Sequence, residues 1–449
     1  MAEITLLAAV VVAQVILSTP LLDNGANYDE AVYLAAVDAL RHGQTLGTQV
    51  FAAQFPGFYD LLTAISYVGG ISVEGIRAGL LAVMVAGTVG GWLVGRRFGG
   101  TAGGLLVAGF LTIAPPLDLF APQVIADTPA AALMLLALGL ATLTAPIAAI
   151  AAGAIFAAAL SIKLTALTVL PTLAWLVGRR RAVPALLGAV SVGALLVIFH
   201  AGAIGALWSS DVTYHDRARS TPAVIPHPHR QIIDQIPTRT PFFWLALGAI
   251  LIALGYAVGR RRLGVAPIWA WPILTFAFLL VHSPLHYNHL VLFPYALATA
   301  AGTTVGAALK RLERRRALLA SAAVALAVVA GYAQQWRRVS TAKLPEPASN
   351  IAAAQALASL TSPNARVIDD RPIISFLAHR RVVGSLVDTA LLRFETGSLT
   401  DADVIAATKT ADAVVLSRTL LDREQVRTYV QQHFKLRYRR GSIRIYTRQ

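Results

Sequence analysis

Long stretches of this chain carry almost no charge, and their lengths fit helices crossing a bilayer, each of which needs about 20 mainly apolar residues. Runs near residues 4–22, 75–95, 101–121, 128–144, 147–162, 164–178, 182–208, 241–258, 266–282, 288–306 and 317–333 read as eleven spans. Two stretches need arbitration. Ala145–Val177 is 33 residues interrupted only by Lys163, too long for one crossing and short for two, so it reads as two short helices turning at Lys163. Phe55–Gly70 is short, opens with Pro56-Gly57 and carries Asp60, so it reads as an interfacial helix rather than a span. The first run, Ile4–Leu22, has neither a basic start nor a small-residue cleavage site and reads as a retained anchor.

Composition sharpens the class. Of 449 residues, 56% are apolar and 14% charged, against about 45–50% and about 25% in soluble domains. An ordinary soluble enzyme is excluded. Spread through apolar runs, the 34 Gly and 22 Pro do not describe a disordered or collagen-like chain. The absence of Cys removes disulfide, zinc-thiolate and thiol-nucleophile chemistry. A net charge of +15 suggests nucleic acid, but the basic residues fall in short blocks between apolar runs, as topology signals do. No nucleic-acid partner is expected. The blocks are Arg96-Arg97, Arg179–Arg181, Arg260–Arg262, and Lys310-Arg311 with Arg314–Arg316. Eleven spans place all of them in the cytoplasm with the N-terminus, while Arg337-Arg338 runs against the scheme. The external segments are then Asp23–Glu74, the approach to Asp127, the Lys163 turn, Ser209–Thr240, His282–His289 and the tail.

The tail, residues 344–449, differs in composition from everything before it and reads as a separate domain. Helical patterns at Ala352–Leu360, Ile373–Ala378 and Arg423–His433 alternate with strand patterns at Arg366–Asp369, Ala413–Ser417 and Ser442–Tyr446. The expected fold is an α-helical polytopic membrane protein of about eleven transmembrane helices, residues 1–333, with interfacial helices at about 29–70. A small C-terminal α/β extracytoplasmic domain follows at 344–449.

Two acids stand out on the external side. Asp29 and Glu30 open an amphipathic helix expected to lie on the membrane. Asn27 and Glu30 have capping-box spacing, which accounts for the acids structurally; alternatively, Asp29 is a general base acting on an acceptor hydroxyl. Asp127 precedes Thr128-Pro129, a favourable helix start. Its second reading is a partner carboxylate that orients the acceptor or holds a divalent cation.

The ordered set of Asp29-Glu30, Gln54-Phe55-Pro56-Gly57-Phe58-Tyr59, Asp127-Thr128-Pro129, Leu160–Thr165 around Lys163, and His286-Tyr287-Asn288-His289 before Phe293-Pro294 resembles the GT-C membrane glycosyltransferases. The likeness is nearest to protein O-mannosyltransferases and aminoarabinose transferases (glycosyltransferase family 39-like), and it covers roughly the first 310 residues. It implies inverting transfer of a sugar from a polyprenyl-phosphate donor to a lipid, glycan or protein acceptor at the outer face of the plasma membrane. Asp29 would be the base, with Glu30 and Asp127 as further catalytic acids. The single Pro56 and the loose His-Tyr-Asn-His match depart from the family pattern.

Cations complete the expectation. Lys163, flanked by Ile162 and Leu164, either snorkels or meets an anion. Arg217 and Arg219 carry forks suited to phosphate oxygens, against the bland alternative of a solvated charge run. Six of ten His lie in two external loops: His215, His227, His229, His282, His286 and His289. His286 is taken as a phosphate donor. His286 and His289, three apart, would share one helix face, and His289 with Asp29 and Asp127 could hold a divalent cation. The competing function is a transporter or flippase of a lipid-linked sugar or small solute, which would place polar groups at mid-membrane in broken helices. A scaffold displaying the tail explains neither Asp29 nor Asp127.

Overall fold

The computed structural model describes residues 1–114, 123–221, 234, 242–258, 264–282, 285–342 and 344–448. His227, His229 and Arg260–Arg262 lie outside the described residues. The chain forms two compact units.

The first unit comprises Met1–Leu22, Arg77–Leu196 and His227–Lys343 and is helical throughout its described part. Five helical stretches are long and apolar enough to cross a membrane: Ala2–Leu21, Val73–Ile113, Leu164–Phe199, Tyr287–Leu309 and Arg314–Thr341. Shorter apolar helices occupy Asp127–Ala141, Pro146–Ile162 and Ala266–Val281. This is an integral membrane protein. Two of the long stretches are broken by glycine. Gly100 (φ 65°) and Gly178 (φ 63°) leave the helical region, a conformation that costs a residue with a Cβ far more than glycine. The breaks divide 73–113 and 170–199 near the boundaries that the apolar pattern predicts. Lys163 ends Pro146–Ile162 in extended geometry before a 3₁₀ turn at Leu164–Val169, the expected turn between two short helices.

Helices here approach through small residues, as is usual where lipid gives no hydrophobic drive for association. Gly87 faces Ala132, and Gly90 faces Leu135 and Gly139. Residues 73–99 and Asp127–Ala141 therefore run in the same direction. Arg96 pairs with Glu3 at 3.1 Å, and Lys310 donates to the Phe98 carbonyl at 3.2 Å. These basic blocks thus share one end of the unit, and Asp127 opens its helix at the other. Tyr287–Leu309 is buried almost throughout, whereas Leu186, Leu187, Val190, Leu318, Leu326 and Val329 are exposed, as lipid-facing positions should be.

The second unit comprises Asp23–Ile76, Val197–Pro226 and Leu344–Gln449. Its sheet has the order β2-β1-β3-β5-β4, from β1 (Arg366–Asp369), β2 (Arg381–Val382), β3 (Ala413–Leu416), β4 (Phe434–Arg440) and β5 (Ile443–Arg448). β1 is parallel to β2 and β3, while β5 runs antiparallel to β3 and β4. Helices Ala348–Leu360, Ile373–Leu377, Asp401–Thr408 and Glu424–His433 complete it. β4 is absent from the sequence expectation because its Lys435, Arg437, Arg439 and Arg440 give no apolar alternation; it is an edge strand, exposed along most of its length.

The C-terminal segment shares its packing with earlier chain. Gly25 donates to the Leu344 carbonyl at 2.7 Å, and Phe51 to the Gly384 carbonyl at 3.1 Å. In helix Tyr28–Arg41 residues 30–37 are all buried in protein. The Pro-aromatic segment is likewise packed inside the protein. Phe58 and Tyr59 are buried in contact with Tyr33, at ring separations of 5.1 and 6.1 Å. Helix Pro56–Gly69 has 14 residues, too few to span.

Candidate active site

In the first unit the polar cluster forms around Asp127. Its helix is capped by Ala126 without a side-chain hydrogen bond, so the carboxylate is not an N-cap. Lys163 Nζ instead donates to Asp127 Oδ2 at 2.6 Å, the two side chains being 12% and 1% exposed. Lys163 therefore does not snorkel. The sequence supplied both residues but not their pairing, since 36 positions separate them. Asn288 Nδ2 adds a longer contact of 3.4 Å to the same oxygen. Asp127 Oδ1 is buried with no hydrogen-bond partner among the described residues, an acceptor left available in a poorly solvated place.

His286 borders this cluster. Burial lowers its pKa, the Lys163 charge pushes the same way, and Asp127 opposes both. The ring is thus held neutral, able to donate from one nitrogen. His286 and His289 lie next to each other, with ring centroids 5.6 Å apart, on a 3₁₀ turn rather than an α-helix. His286 is the extended N-cap of a 3₁₀ turn, Tyr287–Val291, and its backbone N–H donates to His289 Nδ1 at 3.2 Å. A capping box accounts for the three-residue interval. No group of three His, Asp or Glu placed to hold a metal ion occurs among the described residues. Lys163 occupies Asp127 Oδ2, and the His286 backbone N–H occupies His289 Nδ1. Sequence reading also passed over Arg77, a buried cation whose Nη1 donates to the Leu21 and Leu22 carbonyls at 3.3 and 3.1 Å, at the negative end of the first helix.

In the second unit Asp29 sits exposed on the first turn of Tyr28–Arg41. Asn27 Oδ1 accepts from Glu30 N at 3.0 Å and Glu30 Oε2 accepts from Asn27 N at 3.1 Å. Glu30 is therefore the capping residue, 1% exposed, and its assignment among the catalytic acids is corrected on that ground. The helix below Asp29 is fixed by Tyr33, whose hydroxyl accepts from Gln54 Nε2 at 3.2 Å. Burial raises the Tyr33 pKa, and the nearby Asp29 charge raises it further, so Tyr33 is a neutral phenol. Arg217 and Arg219 lie on a short helix, Tyr214–Arg219, rather than in an open loop. Both are exposed, with no carboxylate partner among the described residues.

The fold is that of the GT-C membrane glycosyltransferases. The chain resembles ArnT from Cupriavidus metallidurans, solved bound to undecaprenyl phosphate, with a TM-score of 0.66 at 16% identity over 99% of this chain and 97% of that one. The same protein in its apo state gives a TM-score of 0.65 at 16% identity, with the same coverage. The Archaeoglobus fulgidus oligosaccharyltransferase in its apo form is similar with a TM-score of 0.58 at 12% identity, over 95% of this chain and 71% of that one. No family model matches the chain, and no curated protein sequence matches it either.

Proposed function

We propose that this protein is an inverting glycosyltransferase of the plasma membrane that moves a sugar from a polyprenyl-phosphate donor to an acceptor hydroxyl on the outer face. The observation that carries this reading is a GT-C fold over nearly the whole chain whose Lys163 is held, buried, by Asp127. An ammonium fixed in a poorly solvated place is suited to the charge that develops as a phosphate departs. One Lys163 N–H is committed to Asp127, leaving two donors for phosphate oxygens. Asp127 acts here as a positioning residue. His286, neutral, donates to the same group, and Arg217 and Arg219 supply further cationic forks.

Asp29 is the base. It takes the acceptor hydroxyl proton, the oxygen forms its bond to the anomeric carbon from the face opposite the phosphate, and the carbon–oxygen bond to phosphate breaks. The electron pair leaves with polyprenyl phosphate. The acceptor is a lipid, glycan or protein hydroxyl.

The test is Asp29→Asn, assayed with radiolabelled polyprenyl-phosphate sugars in membranes. Turnover should fall about 10²–10⁴-fold, the range for loss of a general base, with donor binding unchanged. Full turnover by a folded variant removes Asp29 from the role. Uptake of a solute into proteoliposomes without glycosidic bond formation would favour the transport reading instead.

A further inference from the structure

Helix Tyr28–Arg41, which carries Asp29, forms one wall of a cavity of about 220 Å³, and the C-terminal domain forms the other. Asn27 and Tyr28 line it from the helix; Asn350, Arg371, Ile373 and Arg418 line it from the domain. The two arginines are built in at their backbones. Asp369 ends β1 and Asp370 follows it, Asp369 Oδ1 accepting from Arg371 N at 2.8 Å and Asp370 Oδ2 from Arg418 N. These bonds engage both carboxylates through the main chain and leave the guanidinium groups to the cavity. Arg371 Nη1 donates to Asn350 Oδ1 at 3.0 Å, and the Arg418 guanidinium stacks over the Tyr28 ring at 4.1 Å.

Tyr28 is itself held, donating to Asp388 Oδ1 at 3.0 Å and accepting from Thr389 N at 2.9 Å. Neither guanidinium is ion-paired with a carboxylate among the described residues. Glu346, the acid beside the wall, is turned to Ala26 N and to Asn350 Nδ2. Each arginine brings five N–H donors, of which Arg371 spends one on Asn350. Two forks without a carboxylate ion pair among the described residues, meeting at a cavity beside a helix N-terminus, are a recognition geometry for phosphate or carboxylate. The volume equals roughly seven waters at about 30 Å³ each, more than a bare phosphate requires and enough for a charged sugar head.

We propose that this cavity recognises the acceptor, binding a phosphate or carboxylate group that the acceptor carries, with Arg371 and Arg418 as the anion ligands. This deepens the glycosyltransferase reading and rests on it, for it makes the C-terminal domain the part that selects what Asp29 deprotonates. The binding itself is measurable without turnover.

The experiment is calorimetric titration of the full chain in nanodiscs with inorganic phosphate, glucose 1-phosphate, glucuronate and uncharged glucose. Saturable binding of anionic probes and none of glucose is expected, and the responding probe tells phosphate from carboxylate. Arg371→Met and Arg418→Met should each weaken binding about tenfold, as loss of a charge-assisted contact does, with Arg371→Lys recovering part of it. Since it is Arg418 that stacks on Tyr28, the Arg371 variants keep the test open if Arg418→Met fails to fold. Equal affinity in the wild type and Arg371→Met, or no saturable heat with any anion, overturns the cavity as a site. If polyprenyl phosphate binding falls in parallel, the cavity serves the donor and the acceptor assignment is overturned. Binding that persists while Asp29→Asn retains turnover would sink the assignment of the base and leave the anion site standing.

Discussion

At the scale of single residues, the informative pair is Asp127 and Lys163. Each alone had an ordinary explanation, a cap for one and snorkelling for the other, and the structure gives neither. Buried ion pairs are weak evidence of stability, because both partners pay desolvation, but removing one partner strands the other. Lys163→Met is therefore expected to lower stability by about 3 kcal/mol or more, read as a fall in melting temperature in detergent. The double variant Lys163→Met/Asp127→Leu should recover most of that loss while remaining unable to transfer sugar. Recovery of transfer along with stability would show that the pair is structural only. Tyr28 makes a second case. Tyr28→Phe leaves the Thr389 N–H without its acceptor, at a cost of about 1–3 kcal/mol, and weakens the platform under Arg418.

Elements carry predictions of their own. A single π-helical turn, Ser209–Thr213, holds Asp211, which is 6% exposed with Oδ1 unpartnered among the described residues. Burial pushes its carboxyl up to about 8. In the unfolded chain the same group ionises near its ordinary value of about 3.9, so the folded state holds the proton more tightly. Its contribution to stability is full below about pH 4 and is lost as pH rises through about 8. Asp369 adds a parallel effect: burial raises it to about 7 against hydrogen bonds from Arg371 N, Ser375 N and Ser375 Oγ. The fall in melting temperature between pH 5 and pH 9 should be smaller in Asp211→Asn than in the wild type. An unchanged pH profile in that variant would show that Asp211 does not titrate in this window. π-turns often occur where function needs an irregular backbone, but the proposed mechanism does not use Asp211.

At the scale of the whole molecule, the C-terminal 106 residues do not stand apart, since Leu344–Gln449 forms one compact unit with Asp23–Ile76 and Val197–Pro226. Tyr28 and Phe51 both bond to backbone or side chains of the C-terminal segment, and Arg393 stacks on Phe51 at 3.7 Å. A chain truncated after residue 343 should lose the protection of helix Tyr28–Arg41. Hydrogen exchange at residues 30–37 would rise toward that of an unfolded segment, and limited proteolysis would cut there. Slow exchange retained in the truncated chain would show that Pro56–Gly69 alone suffices to hold the helix. Tail and first loop would then be separable after all.

The sequence by itself determined the helical membrane class, the presence of most apolar helices and the turn at Lys163. These follow from local apolar length and from glycine or charge at the breaks, and no distant contact is needed to read them. It also determined which residues are chemically capable: Asp29, Asp127 and Lys163 are conspicuous because charge is scarce around them. Only the tertiary structure decided how those residues are used. Lys163 found Asp127 and His286 took a cap, while Glu30 was spent on its own helix. The Pro-aromatic segment became core against Tyr33, and the helix that carries Tyr33 is itself bonded to chain more than 300 positions away. Burial and pairing across such separations depend on how helices and sheet pack, and a one-dimensional pattern of polarity does not specify the partner. The same reason hid the arginine cavity, whose ligands come from 371 and 418 and whose other wall begins at residue 26.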